Sequence, residues 1–290
     1  MKATETLRAP AKLNLTLEVL QRREDGFHGL RSVMVPVDLC DELYVEQSGH
    51  TSFACDVPEL QERNLAERAM HALGVRGAAV RLRKVIPTGA GMGGGSSDAA
   101  AILLAAQRGI LATASSADHL ALARSLGSDV PFFLVETAAL VEGTGERVTA
   151  LGPVPPWHAV IIKPPVSVST AQAYECIDAS PRKTRARSQS VSLQMGESLQ
   201  RGDFERVQAL LQNDFHDVLA SATPEIAAAL DALKAAGAQR PLLTGSGSSV
   251  FALAQTAKEA QALANAVRVP NEYRVFRCAF WNGAAWRSAT

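Results

Sequence analysis

The feature that most constrains this chain is a glycine-rich segment at residues 87–100, which reads Pro-Thr-Gly-Ala-Gly-Met-Gly-Gly-Gly-Ser-Ser-Asp-Ala-Ala. Five of the seven positions from 89 to 95 are glycine, which permits positive φ and lets an anion approach the backbone amides closely. An alanine-rich stretch follows and predicts a helix running to about Arg108. The N-terminus of a helix has unpaired N–H groups and the positive end of the dipole, and both favour phosphate. We therefore predict a phosphate-binding loop rather than a flexible linker, with Ser96 and Ser97 placed to cap the helix or reach a magnesium ion.

Three other glycine-loop classes fit this chain poorly. A Walker A loop requires a Gly-Lys dipeptide, and the sequence contains none. Gly89, Gly91 and Gly94 satisfy the dinucleotide pattern G-x-G-x-x-G, but that pattern also needs an acidic residue after the next strand. Residues 108–116 provide neither an acid nor a strand pattern. Protein kinases need H-R-D and D-F-G motifs, which are missing here.

Charge and cysteine content exclude several broad classes of protein. The 290 residues include 29 basic and 29 acidic side chains, so the chain lacks the basic field that nucleic-acid binding requires. Its four cysteines are too scattered for a C-x-x-C zinc site or a disulfide framework, which predicts reduced thiols in a cytoplasmic protein. Residues 1–8 do not resemble a signal peptide. No apolar stretch is long enough to cross a membrane.

Strand and helix patterns mix without strict alternation, which predicts an α+β fold. Residues 78–86, 158–163 and 250–254 are typical of strands, and residues 62–75 are typical of a helix for which Asn64 is a candidate cap. Helical pattern dominates residues 191–237, and residues 181–189 indicate an exposed loop. The proline-rich residues 152–156 carry the best domain-boundary signal.

Two candidate catalytic side chains lie outside the glycine-rich loop. Leu13, Leu15, Leu17 and Val19 alternate as in a strand, so Lys12, Asn14 and Thr16 share the other face, which is either solvated or functional. Asp129 is predicted to lie between a helix ending at a left-handed Gly127 and an apolar strand, where it is either a turn residue or a catalytic carboxylate. The acids Asp38, Asp41 and Glu42 are predicted to face solvent.

These segments together resemble the GHMP kinase superfamily. Residues 87–100 are similar to its phosphate loop, and residues 243–247 (Leu-Thr-Gly-Ser-Gly) to its third motif. Three further segments resemble the branch that phosphorylates a cytidylyl-linked methylerythritol: residues 10–15 (Pro-Ala-Lys-Leu-Asn-Leu), 25–28 (Asp-Gly-Phe-His, with Phe27 where tyrosine is more usual) and 127–131 (Gly-Ser-Asp-Val-Pro).

The resemblance implies roles for individual residues. Asp129 would be the base that takes the substrate hydroxyl proton, with Lys12 beside it to orient the hydroxyl and neutralise developing charge. The substrate would be held by Asn14 at the erythritol moiety, by Phe27, His28 and Tyr174 around the cytosine ring, and by Thr170 and Ile162 in the adjoining wall. The nucleotide would be bound by Asn64, Leu65, Lys84, Pro87, Gly89, Ala90, Gly91, Met92, Gly93, Gly94, Gly95, Ser96 and Ser97.

The resemblance also implies a fold and an activity. We expect a two-domain GHMP kinase fold, in which residues 1–152 form a domain similar to ribosomal-protein S5 domain 2 and residues 153–290 an α+β domain that closes the site. The expected reaction transfers the γ-phosphoryl group of ATP to the 2-hydroxyl of the cytidylyl substrate in non-mevalonate isoprenoid synthesis, with Mg²⁺ but without a dense acidic cluster to hold it. The protein would be a monomer or homodimer with no nucleic-acid or membrane partner.

Two other functions remain open at this stage. A GHMP kinase for another alcohol, such as mevalonate or homoserine, would lack the Gly26-Phe27-His28 turn. A nucleotide-sensing module without turnover would not need Lys12 and Asp129.

Overall fold

The computed structural model describes residues 4–24, 26–62, 64–114, 118–180 and 190–282. Its strands are β1 (Thr4–Asn14), β2 (Thr16–Arg22), β3 (His28–Gln47), β4 (Ser52–Cys55), β5 (Val75–Arg76), β6 (Ala78–Arg83), β7 (Ala112–Thr113), β8 (Ala138–Gly143), β9 (Arg147–Gly152), β10 (His158–Lys163), β11 (Gln212–Asn213), β12 (Leu242–Leu243), β13 (Val250–Ala254) and β14 (Arg274–Ala279). Its helices are α1 (Leu65–Leu73), α2 (Gly94–Gln107), α3 (His119–Leu126), α4 (Val130–Leu134), α5 (Thr170–Ala179), α6 (Val191–Arg201), α7 (Phe204–Leu210), α8 (His216–Ala222), α9 (Pro224–Ala235) and α10 (Ala257–Ala266), with a short 3₁₀ turn at Pro58–Leu60.

The larger sheet is organised around β3, which is 20 residues long. It pairs antiparallel with β1, β2, β6 and β8. β9 extends the sheet from β8, while β4 and β11 join β6 and β2 in parallel. Since β11 follows residues 152–156 and β2 precedes them, this sheet contains residues from both sides of the predicted boundary.

A second sheet has the order β12-β13-β10-β14 and is antiparallel throughout. Helices α5, α8, α9 and α10 pack against it through an apolar cluster that includes Leu219, Ile226 and Leu230. A separate cluster joins Leu13 and Leu15 to Ile161 and Phe251, so the two sheets share buried apolar contacts. The mixed, mostly antiparallel architecture confirms the predicted α+β class.

Helix α2 is central to the arrangement because it is buried from Ser97 to Ala105. It contacts α1, α4 and β1, and its run of alanines lets these neighbours approach closely. Gly93 is the N-cap residue, with φ of +72°, a conformation that side chains with a Cβ rarely adopt. The N-terminus of α2 is therefore fixed directly after the glycine-rich loop.

Several local predictions are confirmed. The strands predicted at residues 158–163 and 250–254 have those bounds, and the Asn64 side chain caps α1 by accepting a hydrogen bond from the Ala66 N–H. The helical pattern of residues 191–237 corresponds to α6 to α9, interrupted by the short strand β11. The loop predicted at residues 181–189 lies outside the described residues.

Other local predictions are wrong. Gly127 has an extended φ of 172° rather than a left-handed one. The segment after Asp129 is helix α4, because Pro131 suits the first turn of a helix and its fixed φ favours that conformation over a strand. Ser96 and Ser97 lie inside α2 and do not cap it. The sequence also predicts a helix that starts near Ser115 or Ser116, but helix α3 begins at His119 and is capped by Asp118, and residues 115–117 lie outside the described part.

The structure decides two questions of solvent exposure. Lys12, Asn14 and Thr16 are all buried, which excludes the solvated alternative for the face they share. The prediction that Asp41 faces solvent is wrong, because its side chain is fully buried, whereas Asp38 is exposed as predicted and Glu42 is half-buried. Among the described residues, no helix combines the length and apolar character needed to cross a membrane.

Candidate active site

A cleft of about 1600 Å³ runs along the glycine-rich loop and the N-terminus of α2. Its walls contain nineteen of the twenty-one predicted site residues, which come from segments far apart in the sequence: Lys12, Asn14, Phe27, His28, Asn64, Leu65, Lys84, Pro87, Gly89, Ala90, Gly91, Met92, Gly93, Gly94, Gly95, Ser96, Asp129, Thr170 and Tyr174. The fold thus brings the predicted nucleotide-binding, catalytic and cytosine-binding residues into one continuous space.

Two predicted site residues do not reach this cleft. Ile162 is fully buried in the apolar cluster beneath the second sheet, because both faces of β10 are covered and its side chain points into the core. Ser97 is also fully buried, and its hydroxyl has no hydrogen-bond partner in the described structure. Ser96, one residue earlier on α2, does line the cleft.

The glycine-rich loop is tightly packed against other parts of the chain. Gly91 has φ of +72°, and a Cβ there would lie 2.7 Å from the Gly247 carbonyl oxygen. A Cβ at Gly93 would lie 3.0 Å from the Phe133 ring. Gly95 differs, because a Cβ there would meet only Leu65, at an ordinary 3.7 Å. Some of these glycines are therefore required by the fold of the loop itself, and not only by a ligand.

The loop presents backbone donors to the cleft at the beginning of α2. The first backbone hydrogen bond of α2 is donated by the Ser97 N–H to the carbonyl oxygen of the N-cap residue Gly93, at 2.9 Å. The preceding N–H groups of an α-helix have no partner within the helix. They lie at the positive end of the helix dipole, which is a suitable site for phosphate.

Lys12 and Asp129 meet beside this loop. The Lys12 Nζ atom lies 3.9 Å from Asp129 Oδ2, with the lysine side chain 3% exposed and the aspartate 31% exposed. Burial lowers the pKa of Lys12, and the charge of Asp129 partly offsets that effect. The backbone N–H of Lys12 donates a hydrogen bond to the Met92 carbonyl at 3.0 Å, which fixes β1 against the glycine-rich loop. An open carboxylate and a buried ammonium thus face one region of the cleft.

Asn14 links the same strand to two other segments. Its side chain accepts a hydrogen bond from Lys12 Nζ and donates to Ser32 Oγ at 2.8 Å. Its backbone N–H donates to Thr244 Oγ1 at 3.0 Å. This network holds Lys12 in position and brings the third predicted motif, residues 243–247, up to the catalytic region.

The predicted cytosine wall contains an aromatic stack. The rings of His28 and Tyr174 lie 5.3 Å apart with an interplanar angle of 12°, and Tyr174 also meets Phe215 edge-on at 5.1 Å. The His28 Nε2 atom lies 3.0 Å from Asp178 Oδ1. Phe27 is 66% exposed at the rim of the cleft. Tyr174 therefore packs on protein rings, a contact that the sequence did not indicate.

The wall of the cleft also contains Asn64, Leu65 and Lys84. Lys84 does not point freely into this space, because its ammonium donates to Asp41 and, at 2.7 Å, to Asp98 Oδ2. Sequence reasoning missed both carboxylates. For Asp41 the sequence contains one indication of a buried role, because this acid interrupts the largely apolar pattern of residues 33–45. Asp98 follows the loop motif, and no pattern in the sequence distinguishes it.

The described residues contain no cluster of three or more acidic, histidine or cysteine side chains able to hold a metal ion.

Comparison with known proteins identifies similar sequences and folds. Residues 63–137 match the GHMP kinases N terminal domain and residues 195–271 the GHMP kinases C terminal region. The 4-diphosphocytidyl-2-C-methyl-D-erythritol kinase of Pelotomaculum thermopropionicum is 39% identical over 92% of this chain and 95% of its own length. The enzyme of the same name from Symbiobacterium thermophilum is 43% identical over 83% of this chain and 87% of its own.

Solved structures show the same relationship. A crystal structure of a 4-(cytidine 5'-diphospho)-2C-methyl-D-erythritol kinase superposes with a TM-score of 0.80 at 36% identity, covering 96% of this chain and all of that one. A homoserine kinase from Cytophaga hutchinsonii shares the fold, with a TM-score of 0.65 at 19% identity over 97% of this chain and 96% of its own.

Proposed function

This chain belongs to the 4-diphosphocytidyl-2-C-methyl-D-erythritol kinase family of GHMP kinases, and from that premise we propose how its cleft carries out the reaction. The chain is an ATP-dependent kinase of the non-mevalonate isoprenoid pathway. It transfers the γ-phosphoryl group of ATP to the 2-hydroxyl of 4-diphosphocytidyl-2-C-methyl-D-erythritol.

Asp129 acts as the base that accepts the proton of the 2-hydroxyl. The observation that supports this most strongly is the Lys12–Asp129 pair, 3.9 Å apart beside the phosphate loop. The ammonium of Lys12 lies beside this carboxylate and stabilises negative charge on the transferring phosphoryl group. Since Lys12 is held by Asn14 and by the Met92 carbonyl, the pair is already positioned before the substrate binds.

ATP lies along the glycine-rich loop, with its phosphates on the N–H groups that begin α2 and its adenine toward Asn64 and Leu65. The cytidylyl substrate occupies the other end, with cytosine against His28, Tyr174 and Phe27, and with Thr170 in the adjoining wall. This placement is supported by the continuous cleft, whose walls contain both sets of residues together with the Lys12–Asp129 pair. In-line transfer then depends mainly on position and on charge neutralisation.

The reaction also needs Mg²⁺, which would be held together with the ATP phosphates. Mg²⁺ usually retains several waters and binds through substrate phosphates with one or two protein oxygens, and the Ser96 hydroxyl in the cleft wall fits that requirement. When bound, it would neutralise charge on the phosphates. We further propose that the enzyme works in the cytoplasm as a monomer or homodimer, which is consistent with its four free cysteines.

The assay that tests this function measures ADP formation with a panel of alcohols. We expect turnover with the cytidylyl methylerythritol and none with mevalonate or homoserine. Phosphorus NMR of the product should place the new phosphate on the 2-hydroxyl. Turnover with mevalonate or homoserine but not with the cytidylyl alcohol would contradict the assignment, and ATP binding without transfer to any alcohol would favour the nucleotide-sensing alternative.

A further inference from the structure

Three ionisable side chains lie together beneath the phosphate loop, and the mechanism above gives none of them a role. Asp41 belongs to β3, Lys84 follows β6, and Asp98 lies on α2. The exposed fractions of the Asp41, Lys84 and Asp98 side chains are 0%, 6% and 1%. Burying charged groups is costly unless they are paired and hydrogen-bonded. This cost indicates that the cluster serves a purpose that a set of apolar side chains would not.

Asp41 fixes the point at which the chain enters the loop. Its Oδ1 atom accepts hydrogen bonds from the backbone N–H groups of Val85, at 2.6 Å, and Ile86, at 2.8 Å. Its Oδ2 atom accepts from Lys84 Nζ. A Cβ on Gly94 would lie 3.3 Å from that same Oδ2 atom. The carboxylate therefore sits directly under the N-terminus of α2, where the helix dipole favours it.

Asp98 fixes the point at which the chain leaves the loop. It is the fifth residue of α2, and its Oδ2 atom accepts a hydrogen bond from Lys84 Nζ at 2.7 Å. Lys84 thus joins the helix after the loop to the strand end before it, and Asp41 joins both to β3. The Lys84 ammonium therefore connects the two ends of the loop that runs from Pro87 to Gly93.

The charge states agree with such a bridge. Burial opposes the charged form of Lys84, but Asp98 and Asp41 outweigh it and raise the pKa of the ammonium. Burial and the neighbouring Asp41 charge raise the pKa of Asp98 well above its usual range. The remaining oxygen, Oδ1 of Asp98, has no hydrogen-bond partner in the described structure.

We propose that Asp98 is a positioning residue for ATP, acting through Lys84 to hold the two ends of the phosphate loop at the separation that its backbone amides need. The proposal rests on the function proposed above. It does not require Asp98 to touch the nucleotide, and it concerns the geometry of the hydrogen bond to Lys84 rather than a negative charge. Asparagine at this position retains an acceptor oxygen and should therefore maintain the bridge.

The experiment compares Asp98→Ala and Asp98→Asn with the wild-type enzyme. A charge-assisted hydrogen bond is lost in the alanine variant, so its KM for ATP and its Kd for ATP by calorimetry should rise about tenfold or more. Its KM for the cytidylyl substrate should change by less than about twofold, since the bridge holds the phosphate loop and the cytidylyl substrate is proposed to bind against His28 and Tyr174. The asparagine variant should bind ATP within about threefold of wild type. Asp98→Ser provides the same comparison if the alanine variant does not fold.

A matched control is available on α9, where Asp231 pairs with Lys234 at 3.3 Å on the protein surface. Asp231→Ala removes the same kind of pair from an exposed helix and should leave both KM values unchanged. An equal rise in both KM values for Asp98→Ala, no rise in either, or the same loss of ATP affinity in Asp98→Asn would overturn the proposal. Calorimetric ATP binding remains interpretable even if the cytidylyl alcohol proves not to be the substrate.

Discussion

Truncation of Tyr174 tests whether the aromatic wall of the cleft binds the cytosine ring. Tyr174 stacks on His28 at 5.3 Å and meets Phe215 at 5.1 Å, so Tyr174→Ala removes protein contacts as well as any contact with the substrate. Stacking of a base on an aromatic side chain is worth about 1–3 kcal/mol. We therefore expect the Kd of the cytidylyl substrate to rise about five- to a hundredfold, while that of ATP stays the same.

The structure changes what should happen to stability. From sequence alone, a binding residue would leave the melting temperature almost unchanged on truncation. Fully buried aromatic side chains cost roughly 3–5 kcal/mol when cut to alanine, and Tyr174 is only half-buried. A loss of about 1.5–2.5 kcal/mol in the free energy of unfolding is thus expected even if it binds substrate.

The assay is calorimetric titration of each ligand, together with thermal unfolding, on Tyr174→Ala and on Tyr174→Phe as the matched control. Tyr174→Phe keeps the ring and should hold the cytidylyl substrate within about threefold of wild type. A lower thermal midpoint for Tyr174→Ala combined with unchanged affinity for the cytidylyl substrate would refute the reasoning. Tyr174 would then be a packing residue only.

Two further predictions concern the phosphate loop and the cluster beneath it. Gly93→Ala should have a lower thermal midpoint than wild type, because its Cβ would lie 3.0 Å from the Phe133 ring. Gly95→Ala should keep the wild-type thermal midpoint and lose only affinity for ATP. Equal thermal midpoints in the two variants would contradict this difference. Asp98→Asn should raise the thermal midpoint near neutral pH. The raised pKa means that native Asp98 holds a proton that the unfolded chain releases at about pH 4, so wild-type stability falls as pH rises from there through the native pKa. Thermal scans from about pH 4 to pH 8 should show the difference between the variants growing with pH, and a constant or shrinking difference would show that Asp98 is ionised throughout.

Much of the site could be predicted because its signals are local in sequence. The spacing of five glycines before an alanine-rich helix indicated a phosphate loop, and the structure places that loop in the cleft. The strand period placed Lys12 and Asn14 on one face, and the fold buries both beside the loop. In these cases a few neighbouring residues determine the local conformation.

The missed features depend on contacts between distant residues. Asp41 and Lys84 are 43 positions apart, and Lys84 and Asp98 are 14 apart on different elements. No local sequence pattern indicates a pair of residues so far apart, and Asp41 was therefore predicted to face solvent. Ile162 was misplaced for a related reason: β10 is an interior strand, paired on both edges. Both of its faces are covered, so no alternation distinguished a cleft residue from a core residue.

The most direct test of the central claim is the kcat of Asp129→Asn, measured by ADP formation at saturating ATP and cytidylyl substrate. The amide keeps the shape of the side chain but cannot accept the hydroxyl proton, so we predict a fall of about 10²–10⁴ in kcat. The Kd for ATP should stay within about threefold of wild type, because the phosphate loop is untouched. A variant that retained more than about a tenth of the wild-type kcat would show that Asp129 is not the base.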